Sequence, residues 1–171
     1  SPFTSIVNAN TAATSPWDIV VVAQGSGPYD GSFSPLSSNQ YFIGQGSPYY
    51  VPTANCGPIN IGGSGNTRPI LTNPTGASIN LSNGLIANNF NIVDSAIGIS
   101  GSGNLTGAGS GRPSLARHID IYRTDATAST QGVVISNATG DAAFRDVNIG
   151  RFVTLPDGST QAQTMTNGSF I

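Results

Sequence analysis

The residues of this chain best suited to do chemistry are His118, Asp120, Tyr122 and Asp146. His118, Asp120 and Tyr122 alternate along the chain, so in a β-strand they share one face. Asp146 follows His118 by 28 residues (146 − 118 = 28). If the two strands are parallel neighbours, Asp120 and Asp146 lie about 8 Å apart, from one strand spacing of about 4.8 Å and two residues of about 6.6 Å. That separation suits the two carboxyl groups of an inverting glycoside hydrolase.

Catalysis is one of three uses that this cluster could have. A calcium-dependent lyase would need several carboxylates around the ion and a basic residue to remove a proton, yet the chain contains no Lys and no catalytic motif that can be aligned. We therefore predict that the chain is not an enzyme and needs no cofactor. Asp120, Asp146 and His118 would be the catalytic residues only if the chain were a polysaccharide lyase or glycoside hydrolase. The favoured interpretation is a polar outer face with His118 bonded to Asp146. A glycan-binding face of His118, Asp120, Tyr122 and Asp146 remains the third possibility.

The composition argues against several classes of partner. Charged residues make up 8% of the chain, the six basic ones are all Arg, the eight acidic ones are all Asp, and the net charge is −2. We expect no nucleic-acid binding from this balance, and no membrane insertion because no apolar run has the length of a span. Asp125, Asp141 and Asp157 lie in turns without the spacing of an EF-hand or RTX loop, so no metal site is predicted. Cys56 is alone, which excludes an intramolecular disulfide and favours a small buried or loop position.

Apolar pairs recur along the chain in the manner of a β-repeat. Gly, Pro, Ser, Thr and Asn are abundant, which favours strands and turns over helices. The predicted inward pairs are Val20/Val22, Tyr41/Ile43, Phe90/Ile92, Ile119/Ile121 and Val147/Ile149, with second strands at Ile79/Leu81, Ile97/Ile99 and Val133/Ile135. The steps are 21 (41 − 20), 29 (119 − 90) and 28 (147 − 119), and the gap of 49 (90 − 41) predicts a further strand at 68–73 with Leu71 and Pro69 inward.

A repeat of this length predicts one all-β domain over residues 1–171, a solenoid of about five to six coils stacked in parallel over 18–150. Phe3, Ile6, Val7 and Ala13 share a helical face, which predicts a capping helix over residues 1–14 that begins near Ser1 and Pro2.

The two ends of the predicted solenoid carry further expectations. Trp17 is expected beneath the capping helix, although Trp17 with Tyr29, Tyr41, Tyr49 and Tyr50 could form a sugar-stacking patch. Residues 151–171 are the last coil or a C-terminal edge. An uncapped edge could pair with another subunit, or a natural continuation of the chain could cover it.

Three segments resemble right-handed parallel β-helix proteins of the pectin-lyase-like superfamily, in particular bacterial surface and autotransporter passengers of the polymorphic outer-membrane type. The segments are SPFTSIVNANTAATSPWDIVVVAQGSGPYDG at the start, NQYFIGQG at 39–46 and SINLSNGLIANNFNIVDSAIGISGSGN at 78–104. The resemblance covers about residues 1–150. It implies a right-handed parallel β-helix at the cell surface or outside the cell, but no activity, because this fold carries lyases, hydrolases, adhesins and inert stalks.

The resulting prediction is a non-enzymatic, extracellular structural or adhesive module of a bacterial surface protein, with end-to-end assembly into fibres as one version. The alternative is a polysaccharide lyase, glycoside hydrolase or glycan-binding module that uses the outer strand face.

Overall fold

A computed structural model describes residues 3–46, 48–51, 57–63, 67–124, 131–154 and 160–164. One short helix precedes a series of strands, so the prediction of a mostly β chain is confirmed. The elements are α1 (Ile6–Ala12), β1 (Ile19–Val22), β2 (Tyr29–Asp30), β3 (Tyr41–Gly44), β4 (Tyr50–Val51), β5 (Ile59–Asn60), β6 (Ile70–Thr72), β7 (Ala77–Leu81), β8 (Ile86–Val93), β9 (Ile97–Asn104), β10 (Ser114–Tyr122), β11 (Gln131–Thr139), β12 (Ala142–Thr154) and β13 (Thr160–Thr164).

Two parallel sheets contain most of these strands. In the larger sheet the strand order is β1-β3-β8-β10-β12, and β13 pairs in antiparallel fashion with the end of β12. β6 also pairs with β8, and β2 pairs with β6. The smaller sheet has the order β11-β9-β7, while β4 and β5 form a separate antiparallel hairpin. The sheets are separate and do not close on each other. From β7 to β12 successive strands join the smaller and the larger sheet alternately. Each strand so added to a sheet is called a rung.

The predicted spacing of the C-terminal rungs is confirmed. Ile119 of β10 pairs with Phe90 of β8 and with Val147 of β12, the predicted steps of 29 and 28. In the smaller sheet Val133 pairs with Ile99. Since all five side chains belong to or pack against one cluster that draws on both sheets, the core lies between the sheets.

Three phenylalanines stack at the N-terminal end of this core. The ring centroids of Phe33 and Phe42 are 4.1 Å apart, and those of Phe42 and Phe90 are 4.4 Å apart. Phe42 pairs with Val20 of β1, a step of 22 (42 − 20). The prediction that Tyr41 and Ile43 point into the main core was therefore wrong, because the register is one residue longer than the apolar pairs suggested.

Tyr41 and Ile43 are nevertheless buried, on the outer face of the larger sheet. Together with Ile86 they are covered by Tyr49, Val51 and Ile61 from the segment that contains the β4–β5 hairpin. All four residues of β3 are buried. Alternation could not identify the inward face of β3 for this reason.

The predicted strand at 68–73 exists as β6, and Leu71 points into the core as expected, 1% exposed. It does not form a rung of its own. β3 pairs with the first half of β8, from Tyr41↔Ile86 onward, and β6 pairs with the second half, where Leu71 faces Ile92. β3 and β6 therefore belong to one rung of the larger sheet.

Each long strand of the larger sheet bends at a residue with left-handed backbone. The φ angles are 69° at Asn89, 50° at His118 and 52° at Asp146. The pairing register skips these residues, whose side chains are not placed by strand alternation. Asn, Asp and His adopt this conformation more readily than other non-glycine residues. The prediction that alternation places His118 and Asp146 on one strand face is corrected accordingly: they are corner residues.

The predicted N-terminal helix is confirmed, with different boundaries and a different buried face. The Ser5 hydroxyl accepts a hydrogen bond from the Asn8 amide, 3.2 Å, so Ser5 is the N-cap. Ile6, Ala9 and Ala13 are buried, whereas Phe3 and Val7 are exposed, in contrast to the prediction. Phe3 lies before the helix, and Val7 follows Ile6 by about 100° around the axis.

The helix also differs in what it covers. Trp17 is half exposed rather than beneath α1. The expected helix start at Ser1 and Pro2 lies outside the described residues. Within the described residues no helix has the length and apolarity needed to cross a bilayer.

Replacement of Phe42 by alanine tests the register. Phe42 is fully buried between two other rings, so Phe42→Ala should lower the free energy of unfolding by about 3–5 kcal/mol, measured by urea denaturation. Tyr50→Ala, at an exposed aromatic residue of β4, is the control and should change it by about 0.5 kcal/mol or less. Equal losses in both variants would contradict the assignment of Phe42 to the core.

Candidate functional site

Asp120 is the centre of the polar cluster on the outer face. Its Oδ2 accepts a hydrogen bond from Arg68 Nη1 at 2.7 Å, and its Oδ1 accepts one from Asn148 Nδ2 at 2.8 Å. Arg68 lies just before β6, Asp120 in β10 and Asn148 in β12. The Arg68 side chain therefore reaches past β8, and one carboxylate links three segments of the larger sheet.

His118 and Asp146 form the second contact of the cluster. His118 Nε2 lies 3.1 Å from Asp146 Oδ2, as predicted for a structural pair. The two residues occupy equivalent corners of β10 and β12, which brings their side chains together although neither belongs to the paired register. The Asp146 side chain is 70% exposed and the His118 side chain 28%, so this contact is partly in solvent.

Tyr122 lies on the same strand face as Asp120, in the register Asp120↔Asn91 and Tyr122↔Val93. Burial raises the pKa of the Tyr122 phenol, and the negative charges of Asp120 and Asp94 raise that pKa further. The phenol therefore keeps its proton at neutral pH.

The geometry limits what the predicted catalytic set could do. Both oxygens of Asp120 already accept hydrogen bonds, and the carboxylate of Asp146 contacts His118. Among the described residues no three His, Cys, Asp or Glu side chains gather into a metal site. Asp141 is an exposed turn residue, whereas Asp125, Asp157 and Cys56 lie outside the described part of the chain.

Arg112 makes a second set of contacts between separate segments, which the sequence did not predict. Its Nη2 donates to the carbonyl of Gly84 at 2.7 Å and to that of Gln40 at 3.5 Å. Its guanidinium also lies 4.8 Å from the ring centre of Trp17 and 4.7 Å from that of Tyr41. The positive guanidinium is attracted to the faces of both rings. Arg112 therefore links the loop before β1, which carries Trp17, to β3 and to the turn before β8.

The predicted sugar-stacking patch is not assembled as one surface. The rings of Trp17 and Tyr41 face Arg112, and Tyr49 contacts Tyr41 edge-on, with centroids 6.2 Å apart. Burial raises the pKa of Tyr49. Tyr29 lines a groove beside α1 instead.

That groove, of about 230 Å³, lies between α1 and β1 at the N-terminal end of the larger sheet. Phe3, Ile6 and Ala9 line it on the helix side and Ile19–Ala23 on the strand side. Ile19 and Val21 are 41% and 47% exposed. Among the described residues β1 pairs with β3 alone, so its other backbone edge opens into the groove.

Comparison of the chain with protein-family models, with curated proteins and with solved structures gave no match. The resemblance to pectin-lyase-like proteins therefore stays a prediction.

Two matched substitutions test which of the acidic residues stabilises the sheet. Asp120→Asn would present an amide to the donors of Arg68 and Asn148, so we expect a loss of about 1–3 kcal/mol in the free energy of unfolding. Asp146→Asn removes the carboxylate that contacts His118 while keeping a side chain that tolerates left-handed backbone. Because the Asp146 side chain is exposed, we expect a loss of about 1 kcal/mol or less. Urea denaturation measures both, and a larger loss at Asp146 would contradict this interpretation.

Proposed function

We propose that this chain is a non-enzymatic, extracellular structural or adhesive module of a bacterial surface protein, folded as a right-handed parallel β-helix that stacks end to end. The observation that carries the proposal is the use of the ionisable side chains. Arg68, Asp120 and Arg112 bind neighbouring segments of the fold to one another. A cleft with a free pair of carboxylates, which a hydrolase needs, is not among the described contacts.

The path of the chain supports the β-helix. From β7 to β12 successive strands enter the smaller and the larger sheet in turn, and each pairs in parallel with the strand one turn earlier. Such a path is the one expected of a solenoid, in which each turn buries its apolar residues only by stacking on its neighbours. The right hand follows the general preference of parallel crossovers. The extracellular location is supported by the sequence resemblance alone.

The two ends of the larger sheet support end-to-end stacking. β1 offers an unpaired edge beside the apolar groove, and over 142–149 β12 pairs with β10 alone among the described strands. Phe144, Val147 and Ile149 of β12 are only partly buried, whereas Ile119 and Ile121 of β10 are covered on both sides. Because all these strands run in parallel, a simple translation along the stack would bring β12 of one copy against β1 of the next. Such head-to-tail contacts leave an open edge at each step and form filaments.

The absence of catalysis is tested by a panel of acidic and neutral polysaccharides, assayed with and without Ca²⁺. We expect no turnover by the intact chain, because Asp120 is fully hydrogen-bonded. Turnover that is lost in both Asp120→Asn and Asp146→Asn would overturn the proposal and favour the hydrolase or lyase alternative. Turnover that both variants retain would overturn it too, and would place the active site elsewhere.

End-to-end stacking is tested by sedimentation velocity and electron microscopy from micromolar to millimolar protein. We expect open-ended oligomers that grow with concentration, since a single strand edge makes a small interface. A charge on an edge strand opposes pairing, so Val21→Lys should shift the distribution towards monomer. Ile59→Lys is the matched control, because Ile59 is also an exposed apolar strand residue, 49% exposed, but lies in the hairpin. Monomers at every concentration, or equal effects of the two substitutions, would contradict the stacking.

A further inference from the structure

Two arginines on the outer face of the larger sheet differ from the arginines that tie the fold together. Arg117 of β10 and Arg145 of β12 are direct partners in the parallel register, about 4.8 Å apart along the stack. Neither forms an ion pair or a side-chain hydrogen bond with the residues that the structure describes, whereas Arg68 and Arg112 are both engaged.

The pair lies at the margin of the hairpin-covered surface. Along the same register Asn88 is buried, Arg117 is half-buried and Arg145 is exposed. Arg117 lies close enough to the Tyr49 phenol that its positive charge, with that of Arg112, opposes the rise in the pKa of Tyr49 caused by burial. The site therefore has one wall, formed by the hairpin segment, and is open towards β12.

The arrangement is electrostatically unfavourable when nothing is bound. Like charges directly opposite each other on neighbouring strands destabilise a sheet. The chain contains six basic residues in 171 and has a net charge of −2, so general attraction for anions is weak. Two unpaired arginines on one register position are thus a local positive site on a slightly acidic molecule.

We propose that Arg117 and Arg145 together bind a tetrahedral oxyanion, the sulfate or phosphate ester of an extracellular polysaccharide. Each guanidinium offers a planar fork of donors, and one fork already satisfies both oxygens of a carboxylate. A sulfate or phosphate group has further oxygens, so two forks from adjacent strands can bind it at the same time. This site is separate from the Asp120 tie. Arg145 belongs to β12, whose open backbone edge would pair in end-to-end stacking, but the proposed binding uses side chains on the outer face and not that edge.

Asp146 gives the site a second testable property. It follows Arg145 directly, its side chain is 70% exposed, and its negative charge would repel a bound anion. Removal of that charge should therefore strengthen binding, in contrast to removal of either arginine. A merely nonspecific loss of structure would not produce opposite effects at adjacent residues.

The test is calorimetric titration of the full chain at low ionic strength with dextran sulfate, inorganic sulfate and a polyuronate. We expect dextran sulfate to bind more tightly than a polyuronate of equal charge density, and added NaCl to weaken both. Arg117→Gln and Arg145→Gln should each weaken dextran sulfate binding about tenfold or more, while Arg117→Lys, which keeps the charge but loses the fork, should be intermediate. Asp146→Asn should tighten it. The inorganic sulfate arm shows whether the free ion suffices or the polymer is required.

Arg123→Gln is the control for net charge, because it removes the same charge after the end of β10. Circular dichroism and thermal unfolding establish that each variant is folded. Absence of binding by the intact chain, or equal weakening by Arg123→Gln and the two site variants, would overturn the proposal. Tighter binding of the polyuronate would overturn the assignment of a tetrahedral group. None of these results bears on turnover or on stacking, so the failure of this inference and of the proposed function are distinguishable.

Discussion

The stacking of parallel strands in register is the constraint on which this structure depends. No single rung can bury its own apolar side chains, so Phe90 is buried only because Phe42 lies on one side and Ile119 on the other. A slip of one residue would move every inward side chain to the outer face. Because only 8% of residues are charged, few ion pairs are available to specify the register. The stack of three phenylalanines and the residues with left-handed backbone specify it instead.

The corners explain why polar side chains meet where they do. At Asn89, His118 and Asp146 the backbone is left-handed, and the three residues occupy equivalent positions of β8, β10 and β12. In β8, Asn89 Nδ2 donates to the carbonyls of Gly44 and Gln45, at 3.2 and 2.8 Å, where the chain leaves β3 for the hairpin segment. Asn89 is buried and bound to backbone, whereas the His118–Asp146 contact is partly in solvent. The equivalent position thus holds the end of β3 through Asn89 in β8, and forms a partly exposed side-chain contact between β10 and β12.

The sequence predicted the fold best where one face of a strand is apolar and the other polar. The steps from Phe90 to Ile119 and Val147 could be predicted for this reason. β3 could not, because its outer face is buried by the hairpin segment, and four apolar or small residues in a row carry no alternation. The His118–Asp146 contact was predicted, but the role of Arg68 was not, since it joins residues 52 positions apart through an excursion whose length no periodicity encodes.

The distribution of the arginines connects the fold to what the molecule can bind. Arg68 lies just before β6 and Arg112 in the loop before β10, and each joins separate segments of the chain through its side-chain hydrogen bonds. Arg117 and Arg145 lie in the regular part, where β10 and β12 already pair along their length and need no side-chain tie. Positive charge in the regular part therefore adds nothing to the hydrogen bonding of the sheet and adds repulsion between strands. The stacking of strands does not explain why Arg117 and Arg145 lie side by side, whereas Arg68 and Arg112 link separate segments. Binding of an external anion would offset the repulsion between the two arginines.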